Sequence, residues 1–126
     1  MKVLGRLESR LYALLRIVAG FLFLCHGAQK LFGVLGGNQA QLMSLMGLAG
    51  VIELVGGLLI MLGLFTGYAA FVCSGLMAVA YFMAHAPQGF WPIQNKGELA
   101  AVYAFLFLYI AVKGSGIWSI DAVRRM

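Results

Sequence analysis

From Leu54 to Ala84 the chain carries no Asp, Glu, Lys, Arg or His. A helix rises about 1.5 Å per residue, so one helix over this run would be roughly 45 Å long. The hydrocarbon core of a bilayer is only about 30 Å thick. The run is therefore too long for one span and must double back. Its punctuation is GLFTG, residues 63–67, which reads as a very tight connection between two helices. Composition supports the same solvent. The 126 residues are 63% hydrophobic and 10% charged, against roughly 25% charged in soluble domains.

An all-α, membrane-spanning four-helix bundle follows, one domain over residues 1–126. The expected spans are about 11–32, 46–65, 68–84 and 97–112. GVLGGNQAQ (33–41) is a Gly-rich polar loop, and HAPQGFWPIQNKG (85–97) holds both prolines. The N-terminal basic residues and apolar run resemble a signal peptide, but no A-x-A-like site follows, so a retained span is expected. Cys25 and Cys73 form no CxxC and read as small buried hydrophobes.

The net charge of +5 is no nucleic-acid footprint. Lys2, Arg6, Arg10, Arg16, Lys113, Arg124 and Arg125 are terminal; only Lys30 and Lys96 are not. With four spans this places both termini in the cytoplasm and the 33–45 and 85–97 loops outside. Arg16, near the cytoplasmic end of the first span, is expected to snorkel to the interface.

CHGAQKLFG, residues 25–33, then poses a problem. His26 and Lys30 stand four residues apart on one helical face, about 6 Å apart along the axis. Ionisable groups in a span are costly and mark a polar partner or a site. Glu53 on the second span lies at the same depth, roughly 10 Å below the outer surface by helical rise. Tyr81 and His85 end the third span, and Glu98 begins the fourth. The six are expected to meet in the outer half of the bundle, with Glu53 countering Lys30 or His26. Gly50, Glu53 and Gly57 share a face whose small residues let helices approach closely. No metal site is expected, because nothing in the spacing of the two histidines favours one. No nucleophile motif, phosphate loop or HExxH is present.

Four stretches carry a family resemblance: LLRIVAGFLFLCHGAQKLFG (14–33), GVIELVGGLLIMLGLFT (50–66), GELAAVYAFLFLYIAVKGSG (97–116) and WSID (118–121). In order and spacing they resemble the DoxX family of small four-helix membrane proteins. The matching positions are Arg16, Gly20, His26, Gly27, Lys30, Glu53, Gly57, Gly63, Glu98 and Asp121. The resemblance implies a subunit of the bacterial cytoplasmic membrane in a redox or sulfur-handling system, quinone as the candidate cofactor, and none bound covalently. A protein partner would supply the redox centre, and a homo-oligomer is compatible with it. No settled catalytic residue comes with the family. The competing expectation is a non-enzymatic scaffold or assembly factor whose buried charges are structural.

Overall fold

The computed structural model describes residues 2–124 apart from 38 and 42. Arg125 of the terminal basic set and Asn38 of the 33–41 loop lie outside the described residues. Those described contain helices and no strand. A short α1 (Lys2–Gly5) precedes α2 (Glu8–Phe32), α3 (Leu45–Leu62) and α4 (Thr66–Ala80). After α4 come a π-helical turn, Tyr81–His85, and a 3-10 turn, Ala86–Gln88. Then follow α5 (Pro92–Asn95), α6 (Glu98–Lys113) and α7 (Ile120–Arg124). The protein is a helical membrane bundle. Glu8–Phe32, Leu45–Leu62 and Thr66–Gln88 are long and apolar enough to cross a bilayer. The fourth long helix, α6, has 16 residues. It reaches about 24 Å, short of the roughly 30 Å hydrocarbon core.

The helix ends follow local chemistry. Gly33 (φ 68°) and Gly63 (φ 73°) close α2 and α3 in the left-handed conformation that costs glycine nothing. Ser44 caps α3 by accepting the Gly47 N–H at 3.1 Å. The 63–67 punctuation is indeed a turn, but α4 starts at Thr66, two residues earlier than expected. Pro87 has no N–H to continue the helix and its ring crowds the preceding turn, so α4 widens and ends over Tyr81–Gln88.

Two glycine pairs at heptad spacing bring α2 and α3 into backbone contact. A Cβ built on Gly20 would lie 2.5 Å from the Met61 nitrogen and 2.7 Å from the Gly57 oxygen. One on Gly27 would lie 2.4 Å from the Leu54 nitrogen and 2.8 Å from the Gly50 oxygen. Dispersion and backbone proximity, rather than water exclusion, hold helices together in lipid. The other close pair is α4 with α6, where the Ser74 hydroxyl donates to the Ala104 carbonyl at 2.6 Å. Between the pairs, Phe23 sits 4.8 Å from Phe107 and 5.5 Å from Tyr103, centroid to centroid, and all three are buried. This aromatic layer divides a polar site near one end of the bundle from another near the opposite end.

Candidate functional site

The Gly27–Gly50 crossing places α3 against the last turns of α2. There the Lys30 ammonium donates to Glu53 Oε1 at 2.8 Å. Gly50 leaves room for the lysine stem: a Cβ on it would be 3.0 Å from Lys30 Cβ. Glu53 is 2% exposed. Its other oxygen, Oε2, is the one buried side-chain polar atom without a hydrogen-bond partner among the described residues. A buried acceptor normally finds a donor, so this oxygen calls for an explanation. His26 is half-buried one turn inward of Lys30; no hydrogen bond within the protein is formed by its ring among the described residues.

Tyr81 and His85 form a second group on the π-turn, their ring centroids 6.4 Å apart. Its organiser is Asn95, which is fully buried. The Asn95 side-chain amide donates to Tyr81 Oη at 3.2 Å and to the Gly89 carbonyl at 2.9 Å. Its Oδ1 accepts the Gly97 N–H at 2.8 Å. His85 Nδ1 lies 3.1 Å from the Asn95 carbonyl. A carbonyl can only accept, so Nδ1 carries a proton, and in the neutral ring Nε2 is the free acceptor. Glu98 is exposed and forms no ion pair among the described residues.

The six predicted residues thus fall into a Lys30–Glu53 pair with His26 behind it, a Tyr81–His85 pair tied by Asn95, and an outlying Glu98. No hydrogen bond or ion pair joins these groups among the described residues. Asn95 escaped the sequence reading. An asparagine in a Pro- and Gly-bounded loop is ordinarily a turn residue, and nothing in its spacing marks it as buried.

Arg16 corrects an expectation. It does not snorkel; it is 0% exposed. Its Nε donates to the Ile60 carbonyl at 3.0 Å, Nη1 to the Ser115 carbonyl and, at 3.0 Å, to that of Ile117, and Nη2 to that of Trp118 at 2.8 Å. The physical reason is supply. The end of α3 and the 114–118 segment leave carbonyls without helical partners, and a guanidinium offers five fixed donors. Helix C-termini also favour a cation. Beside it, Asp121 of α7 accepts the backbone N–H groups of Phe65 and Thr66 at 3.1 and 3.3 Å, capping α4 from a distant segment. The Ser115 hydroxyl donates to Asp121 Oδ2 at 2.5 Å and lies 2.8 Å from Thr66 Oγ1, whose proton completes the chain. Partial burial raises the Asp121 pKa. The Ser115 hydroxyl, the two N–H donors and nearby Arg124 outweigh it and hold the carboxyl below its ordinary value.

The asymmetry of the Lys30–Glu53 pair yields an expected result. Lys30→Met leaves a buried carboxylate oxygen without its donor, which costs about 1–3 kcal/mol. Glu53→Gln costs less, because the Lys30 side chain is 25% exposed and can turn outward. The double variant loses less than the sum. Thermal unfolding in detergent checks this, and strict additivity would rule out a direct interaction.

Comparison with known proteins adds three findings. The family model described as DoxX matches residues 11–86, from the first turn of α2 to the first residue after the π-turn. A Haemophilus influenzae protein bearing the name "Uncharacterized protein" is 44% identical over 128 aligned positions, covering 96% of each chain. No solved structure matches.

Proposed function

The chain belongs to the DoxX family, and on that premise we propose that it is a membrane subunit of a redox or sulfur-handling system whose Lys30–Glu53 site meets a quinone head group. The observation that carries this reading is the orphaned, buried Oε2 of Glu53, next to an oxygen already paired with Lys30. The donor set fits such a ring. Lys30 has further N–H groups for a ring oxygen, and Glu53 can hold a proton or accept one from a ring hydroxyl. When bound, a quinone supplies two-electron chemistry coupled to protons.

Electrons would come from a protein partner that carries a redox centre. The terminal basic residues favour both termini on the cytoplasmic side of a bacterial inner membrane, which puts Lys30 and Glu53 in the outer half. A reporter fused to the C-terminus reads that side directly.

Titration of the purified chain with a short-chain quinone, followed by tryptophan fluorescence, tests the site. Saturable binding is expected. Glu53→Gln and His26→Ala should weaken it about tenfold, the size of one charge-assisted hydrogen bond. A second reading, a membrane scaffold, is favoured by Arg16, a buried charge satisfied entirely by backbone carbonyls and needing no ligand. No saturable binding in the parent, or undiminished binding in both variants, selects the scaffold.

A further inference from the structure

Lys96, which ends α5, and Glu98, which begins α6, carry two charges that the site above does not use. Lys96 and Glu98 are both exposed, and neither forms an ion pair among the described residues. They border one open groove of about 470 Å³, whose other walls are Pro92, Ile93, Leu99 and Val102. The groove is polar where the helix begins and apolar further along, since Leu99 and Val102 lie on the exposed face of α6. Its floor is firm. Buried Asn95 fixes the loop through Gly89 and Gly97, and Lys96 is held in the left-handed conformation (φ 63°) between them.

An occupant must match a cation and an anion at the rim and an apolar wall below. Water matches only the first part, and a fatty acid or an anionic lipid would face Glu98 with like charge. We propose that this groove binds a phospholipid with a primary-amine head group, phosphatidylethanolamine in kind. Lys96 meets the phosphate, the lipid ammonium donates to the Glu98 carboxylate, and an acyl chain runs along Leu99 and Val102. A lone cation at the rim would select anionic lipids. The adjacent carboxylate changes that preference: a primary ammonium gives it both an opposite charge and N–H donors, whereas the quaternary ammonium of phosphatidylcholine has no N–H to donate and phosphatidylglycerol brings no cation.

The test is competition for the full chain in mild detergent, with phosphatidylethanolamine, phosphatidylcholine and phosphatidylglycerol of identical acyl chains, bound lipid being read by native mass spectrometry. Phosphatidylethanolamine should be retained over phosphatidylcholine by about fivefold, the size of an exposed charged contact. Glu98→Gln should abolish that preference. Lys96→Asn, which keeps a residue tolerant of the left-handed conformation, should lower retention of all three. Both side chains are exposed, so thermal unfolding should not shift. Equal retention of the two zwitterionic lipids, highest retention of phosphatidylglycerol, or a preference surviving in Glu98→Gln would each overturn the proposal.

Discussion

Replacing Arg16 with methionine should destabilise the bundle by several kcal/mol, because each buried carbonyl left without a donor costs about 1–3 kcal/mol. The methionine fills much of the space but donates nothing. The carbonyls of Ile60, Ser115, Ile117 and Trp118 would lose their shared donor at once. The damage should also spread. The 114–118 segment carries Ser115, which helps to hold Asp121 over the start of α4. With Arg16 gone, the segment that seats α7 keeps only the Tyr12 hydroxyl's bond to the Gly114 carbonyl as a hydrogen bond to α2. Arg16→Lys should recover little, because an ammonium on a flexible stem cannot reproduce the planar fork. Denaturation in detergent followed by circular dichroism reads the effect. An unchanged midpoint in Arg16→Met would show that these carbonyls are satisfied in some other way.

Gly27→Ala should be the other severe change, although alanine is the better helix former. Helix propensity alone would stabilise by about 1 kcal/mol. Against it stands a Cβ placed 2.4 Å from the Leu54 nitrogen and 2.8 Å from the Leu54 Cα. Those atoms belong to the facing backbone and cannot swing aside, so α2 and α3 must separate. Overpacking of this kind costs about 1–3 kcal/mol, and backbone clashes lie at the upper end. Separation also lengthens the Lys30–Glu53 contact, so Gly27→Ala and Lys30→Met should be strongly non-additive. Gly75 supplies the control. Nothing lies within 4 Å of its Cβ position, and Gly75→Ala should raise stability. Equal thermal midpoints for Gly27→Ala and the parent would mean that the helices do not meet through glycine.

These contrasts show what a single sequence reveals in a membrane protein. The uncharged run and the GLFTG turn gave away the doubling back, because length against bilayer thickness leaves no other solution. The small face around Glu53 was legible because Gly50 and Gly57 repeat at helical spacing, and Lys30 was the nearest cation at matching depth. Arg16 was misplaced for a specific reason. Its partners are backbone carbonyls, and carbonyls have no letter in the sequence. The glycines and serines of the 114–119 segment mark a break in the helix but not the direction in which its oxygens point. Asn95 was missed in the same way, since two of its three side-chain hydrogen bonds are to main-chain groups, the Gly89 carbonyl and the Gly97 N–H. The widened turn at Tyr81–His85 depends on where Pro87 falls relative to a helix end that periodicity alone leaves loose in a wholly apolar segment.

Arg16, Phe23 and Lys30 stand seven residues apart on α2, with Phe23 midway between the two charges. With Phe107 and Tyr103 it fills the middle of the bundle. Of the three rings only Tyr103 carries a polar group, so the layer is apolar apart from one hydroxyl. The layer therefore separates the bundle's two polar ends, and on the proposed reading a quinone at the Lys30–Glu53 site would exchange its protons with the side of the membrane that the site faces.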